Sequence, residues 1–385
     1  MKKTLAAVAV LGAFAGSAIA ADVTLYGVVD TGVGYNHTDF DGLSEDTDSF
    51  AMKGGQQSGS RWGLKGAEEL GNGLTVGFIL ESGFDSDTGS TSNEDHLFNR
   101  EASLYLQGGF GRLGFGRIGA FNNGQSSWAK IGMINAFGTS SWGGYTTQVG
   151  NVMSTAGQWD NTIAYETPNF AGFQVFAQYS MGNTMDSVVA ADETKSDGHE
   201  NESDADRYYA IGATYKNGPV AVYFAVDSVN YKSFGPTLSG DVDDSLTVTL
   251  GGSYDFEVAK VYLGAQYFDE VKLSSIGGVI QEVTANASKV KGYGISLTAD
   301  APVAGGKLMA GLTYTDAEAA DSESQANQDF ELQRYGVSVG YDYPFSKRTD
   351  VYAVAGWMQD SVDWTKTTSN DLSAYSLYVG LRHKF

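Results

Sequence analysis

Leu246-Thr247-Val248-Thr249-Leu250-Gly251-Gly252-Ser253-Tyr254 decides the fold. Successive side chains of a strand point to opposite sides, so Leu246, Val248, Leu250 and Tyr254 share one face and Thr247, Thr249, Gly251 and Ser253 the other. The same alternation runs through Tyr335–Tyr343 and Tyr375–Phe385. A water-soluble sandwich would turn the apolar face onto a dry core. Here the opposite face is Gly, Ser, Thr and charge, and strands recur with no helical period between them.

Working outward, sixteen strands are expected: 22–35, 59–67, 74–84, 100–107, 112–117, 160–167, 173–181, 207–216, 220–231, 245–255, 260–271, 289–299, 307–316, 332–343, 351–360 and 373–385. Their links alternate. Leu70–Gly73, Asn217–Pro219 and Asp255–Glu257 are tight turns, whereas 36–58, 118–159, 183–206 and 316–331 are long. An even number of strands, with short turns at one end and long loops at the other, predicts an all-β fold. It is a 16-stranded antiparallel transmembrane β-barrel with short periplasmic turns and long extracellular loops, whose closed ladder leaves no unpaired backbone in lipid. Tyr26, Phe84, Tyr179, Tyr215, Tyr254, Tyr267, Tyr343 and Trp357 are expected in the interfacial aromatic girdles.

Composition agrees. The 385 residues include 50 Gly, 48 aromatics (22 Tyr, 20 Phe, 6 Trp) and no Cys, with a net charge of −22. Without Cys there is no disulfide scaffold, thiolate metal site or thiol nucleophile. An acidic chain has no cationic excess with which to neutralise phosphates, so nucleic acid is excluded as a partner. Lys2 and Lys3, the apolar Leu5–Ala15 and the small residues ending at Ala20 read as a secretory signal over residues 1–20, leaving the barrel as residues 21–385.

Ala21–Asp30, Ser60–Leu74, Phe110–Arg117 and the terminal Phe385 together resemble the trimeric general porins of Gram-negative bacteria, of the β-proteobacterial type. The resemblance spans the mature chain. It implies an outer-membrane homotrimer, a third loop (118–159) folded into the lumen as a constriction, and a C-terminal strand ending in Phe385 that the β-barrel assembly machinery reads. The implied function is a water-filled channel for passive diffusion of small hydrophilic solutes and ions. The alternatives are a sugar- or organic-solute-preferring channel of the same fold and a plugged adhesion or structural barrel.

With apolar residues toward lipid, alternation turns Asp30, Arg61, Lys65, Glu81, Asp227, Arg334 and Arg382 inward, and Arg382 and Arg61 should flank Asp30. A lumen with both signs of charge carries a transverse field that sets ion preference. Between Ile118 and Trp159 the only charge is Lys130, although porins of this type commonly place acids there. Trp128 and Trp142 stand out instead, either as stacking surfaces in the pore or as packing for the loop. Arg100 and Arg117 share parity with apolar neighbours. Either a bulge turns them into the lumen, or they serve the subunit interface, paired with a carboxylate of a neighbour's second loop (85–99) such as Asp85 or Asp87; family analogy favours the lumen for Arg100, and Arg117 is assigned to the interface.

Two motif matches fail their context. Gly109–Gly114 spells a dinucleotide fingerprint but no helix follows, and Gly336–Gly340 spells a nucleophile elbow inside an alternating strand. No enzymatic activity, cofactor or metal is expected. Loops 36–58, 85–99, 183–206 and 316–331 hold 23 acids and 2 bases, so the negative charge belongs to the extracellular mouth. There divalent ions would bridge it to lipopolysaccharide phosphates.

Overall fold

The alternating segments pair with their chain neighbours, one antiparallel hairpin after another. In the computed structural model, which describes residues 23–93, 96–182, 205–231, 243–282, 289–321, 329–365 and 368–385, seventeen strand segments form one sheet. They are β1 (Thr24–Asp39), β2 (Thr47–Gly54), β3 (Arg61–Gly71), β4 (Leu74–Gly83), β5 (Glu101–Gly108), β6 (Gly111–Gly119), β7 (Gln158–Glu166), β8 (Phe173–Ser180) and β9 (Arg207–Asn217). Then come β10 (Val220–Asn230), β11 (Leu246–Asp255), β12 (Lys260–Lys272), β13 (Lys289–Val303), β14 (Gly306–Ala319), β15 (Glu331–Pro344), β16 (Thr349–Thr365) and β17 (Thr368–Lys384). β17 pairs with β1 from Val28↔Lys384 to Asp39↔Ser373, and Gly27 exchanges both backbone hydrogen bonds with Phe385, which closes the barrel. The proposed signal at 1–20 and most of the acidic stretch 183–206 lie outside the described residues.

Seventeen segments make sixteen staves, because β2 and β3 both pair with the same edge of β1. Here the structure corrects the expected loop 36–58: β1 continues to Asp39, β2 descends beside it, and only 40–46 joins them. Between β2 and β3, residues 55–60 leave the ladder opposite Val29 and Asp30. At the other end the turns are tight. Gly71, Asn72 and Gly73 all have positive φ (87°, 52° and 75°), a conformation Gly and Asn adopt at low cost.

The outer face carries Ile211, Leu250, Leu263, Leu312 and Leu377, each more than half exposed. In water this band would be an aggregation surface; in hydrocarbon each such side chain contributes about 1.5–3 kcal/mol. Two girdle expectations fail. Tyr26 faces inward and donates to Glu81 at 2.9 Å, since it shares parity with Asp30, and Phe84 borders the lumenal cavity described below.

The inner face is the surprise, because its small residues carry protein as well as water. Residues 120–157 enter the barrel with two short 3-10 turns, Ile131–Ile134 and Val149–Asn151. They pack their apolar side chains against the β6–β17 wall, with polar footholds on Glu101 of β5 and on Gln56. Ile118, Phe121, Trp128, Ile131, Ile134 and Val152 form one apolar cluster with Phe176 and Tyr223 of the wall. A second cluster joins Phe137 and Trp142 to Tyr352, Val354 and Tyr378. Residues 273–280 also turn inward, burying Ile276 and Ile280 against Leu332, Met358 and Leu372. Polar pegs fix the third loop: Ala136 N–H donates to Thr298, Thr147 N–H to Ser338 and Ser154 N–H to Gln266, each at 2.7–2.8 Å. At Gly294 a Cβ would stand 1.9 Å from the Val152 carbonyl, so only glycine admits the loop there.

Candidate pore constriction

One side of the lumen stays open. A cavity of about 270 Å³ lies between the 55–60 fold, the start of the second loop and the third loop. Its charged lining residues are Arg61, Arg100 and Asp85; the third loop contributes Gly124, Gln125, Thr139, Ser140 and Ser141, none charged.

Glu81 organises the basic side. Arg100 Nε meets one of its oxygens at 2.7 Å, while Arg61 Nε approaches the other at 3.4 Å and Tyr26 donates to it. Arg100 also donates to Gln125 Oε1 at 3.2 Å, tying wall to loop. It reaches the lumen despite its parity because it precedes β5 and is outside the strict alternation of the ladder. Lys65 lies further along β3, exposed, with its ammonium 5.0 Å from the centre of the Tyr26 ring. Arg382 stands directly across the β1–β17 ladder from Asp30, with Arg61 on the other edge of β1, so the two flank Asp30 as expected; the Arg382 guanidinium itself pairs with Asp350 at 3.0 Å.

Several expected pore residues face inward yet meet no water. Arg334 is fully buried. It makes a two-pronged pair with Asp360 at 2.6 and 2.9 Å and donates to the carbonyls of Asn151, Ile276 and Gly277. It therefore fastens both infolded loops to β15 and β16, and is a clamp where a wall charge was expected. Asp227, 4% exposed, accepts from Asn122 of the third loop at 3.0 Å and from Thr247 at 2.6 Å. Asp30 is likewise sealed off, holding the backbone of 57–58.

Trp128 and Trp142 offer no stacking surface to a solute. The Arg112 guanidinium covers Trp128 at 3.9 Å, and Phe137 and Tyr352 meet Trp142 edge-on at 5.9 and 5.7 Å. Arg117 is corrected too: a register shift between Gly116 and Ile118 turns it toward Asp160 of its own chain at 2.6 Å, and it donates to the Asn99 carbonyl. It thus ties the second loop to β6 and β7, with no neighbour's carboxylate required.

Sequence reading passed over Glu101, Asp160 and Asp360. Glu101 receives the Ser127 N–H and hydroxyl at 2.8 and 2.9 Å, seating the first turn of the third loop. Glu101 alternates correctly with outward Leu104, which was the available signal. Among the described residues no cluster of metal-ligating side chains exists.

Comparison with known proteins converges on one group. A family model described as Gram-negative porin matches residues 6–363. An outer membrane porin protein of Bordetella pertussis is 34% identical, with all of both chains covered; outer membrane porin protein 32 of Delftia acidovorans is 29% identical over 99% of this chain and 95% of its own. The solved anion-selective porin from Comamonas acidovorans superposes with a TM-score of 0.64 at 26% identity, covering 95% of this chain and 100% of that one. Alternating strands, a closed sixteen-stave ladder, an infolded third loop and these matches have one common reading: the chain belongs to the Gram-negative porin family.

Proposed function

We propose that this outer-membrane porin passes small hydrophilic solutes and ions by passive diffusion through the opening between the 55–60 fold and the third loop, with a bias toward anions. The asymmetry of the cavity carries this reading. Two guanidiniums, Arg61 and Arg100, line it against the single carboxylate of Asp85, and the loop residues that line it opposite are uncharged. Glu81 lies between the two guanidiniums, orienting both. Fixed charge beside low-dielectric walls concentrates counter-ions, so local lining outweighs the chain's net charge of −22. The Comamonas relative is itself described as anion-selective.

Aromatic stacking of sugars loses its support, because Trp128 and Trp142 are enclosed by protein. Porins are channels, and the relatives' names give no reason to assign a reaction. A homotrimer is supported by family membership and by Phe50 and Met52, 76% and 57% exposed on the outward face of β2 beside Val33. Assembly through Phe385, export by a signal at 1–20 and divalent bridging of the acidic mouth to lipopolysaccharide complete the proposal.

The test is the reversal potential of planar-bilayer currents across a KCl gradient. Arg61→Ala with Arg100→Ala should move it toward cation selectivity. An unchanged value would remove these residues from the ion path, and a silent wild-type protein would favour the plugged barrel.

A further inference from the structure

The second stave is interrupted where an unbroken strand would close the barrel equally well, and the groups freed by the interruption converge on one side chain. Asp30 Oδ2 accepts the backbone N–H groups of Gln57 at 3.0 Å and Ser58 at 2.7 Å, while Oδ1 accepts the Tyr352 hydroxyl at 2.6 Å. Its main chain is used as well: the carbonyl accepts from Gly55 N–H at 2.8 Å and the N–H donates to the Ser60 hydroxyl at 3.0 Å. We propose that Asp30 is a positioning residue whose buried carboxylate holds residues 55–60 inside the lumen as a second, fixed jaw of the constriction, setting both its width and the direction of Arg61.

The chemistry favours a carboxylate at this place. A carboxylate presents two acceptor-only oxygens, enough to gather two N–H groups and a hydroxyl at once, and charge assistance strengthens each bond. With no exposed surface, Asp30 does not act on solutes directly. What it holds does reach them. Gly55, Ser58, Gly59 and Ser60 line the cavity opposite Gln125 and Ser140. Arg61 donates to the Gly59 carbonyl at 2.8 Å and the Ser58 hydroxyl at 3.1 Å, so the fold aims this guanidinium.

The jaw is also coupled to the third loop. The Gln56 carbonyl accepts the Trp142 N–H, and Tyr352, which donates to Asp30, packs its ring edge-on against Trp142. Gln57, Asp30, Tyr352 and Trp142 thus connect the two sides of the opening through one buried circuit. Releasing the carboxylate frees 55–60 to move toward the wall, widening the opening and loosening Arg61.

This inference rests on the cavity being the ion path, and the experiment separates the two. Wild-type, Asp30→Ala and Tyr352→Phe trimers are compared by single-channel conductance, each with Ser58→Cys added in parallel as the chain's sole thiol. Asp30→Ala should raise conductance roughly 1.5- to 2-fold, as expected where pore width limits flow. It should also speed labelling of Cys at position 58 by a water-soluble methanethiosulfonate. Tyr352→Phe, which removes only one of the three bonds, should shift both readouts less and in the same direction. If Asp30→Ala fails to assemble, Tyr352→Phe alone decides. A residue that merely stabilises the barrel would lower thermal stability and leave conductance and labelling of the folded trimers unchanged, which would overturn the inference. A wild-type protein that does not conduct would instead overturn the path on which it rests.

Discussion

The wall around β3 and β4 and the wall from β10 to β16 obey the same alternation and end in opposite environments. On the first, Arg61, Lys65 and Arg100 keep contact with the cavity or the open lumen. On the second, Asp227, Arg334 and Asp360 are sealed beneath infolded loops that bring Ile134, Phe137 and Ile276 into the barrel. Inward parity therefore specifies a direction and not a dielectric. Which inward residues meet water depends on where the third loop lands, and it lands against β6–β17 because the inner faces there present glycines, hydroxyls and amides that match its backbone.

The contrast is broken most severely by Arg334→Ala. Removing one member of a buried, two-pronged pair leaves Asp360 uncompensated and should cost about 3–5 kcal/mol. The folded band on unheated SDS gels should be lost at a clearly lower temperature, and protease should reach the third loop. Gly294→Val attacks the same side by steric overlap with the Val152 carbonyl, at a cost of about 1–3 kcal/mol. Its signature is loop cleavage before the barrel itself melts. On the open side the ranking of readouts reverses. Arg61→Ala removes a partly exposed pair worth about 1 kcal/mol or less, so stability should barely change while the reversal potential moves. Lys65→Ala should do least: its contact with Tyr26 is worth about 0.5 kcal/mol at an exposed site, and its selectivity shift should be smaller than that of Arg61→Ala. A large thermal loss from Arg61→Ala, or none from Arg334→Ala, would erase the distinction between the two sides.

Much of this is legible in the sequence. The alternation in Leu246–Tyr254 places Leu250 toward lipid and Thr249 inward, as found, and the even strand count with short turns at one end corresponds to the closed ladder. Tyr26 escaped because aromatic character suggested a girdle position although its parity with Asp30 already pointed inward. For Arg117 the shared parity allows a bulge or an interface, and the periodic pattern does not decide between them; the register shift between Gly116 and Ile118 does. The 55–60 interruption escaped because Gly55, Ser58, Gly59 and Ser60 read as the end of a loop, with nothing local to show that Asp30 collects them.

The sequence by itself determined the barrel, since strand parity and turn chemistry are local properties carried by each hairpin. It also determined the sign and location of the charge: acids in the loops, Arg61 and Lys65 on the wall. Only the tertiary structure decided which charges face the cavity and which clamp. That outcome depends on contacts between residues far apart in the chain, such as Asp30 with Tyr352 and Arg334 with Asn151. A carboxylate or guanidinium becomes a buried anchor only where another segment arrives with the donors or acceptors to satisfy it, and no local pattern records that arrival.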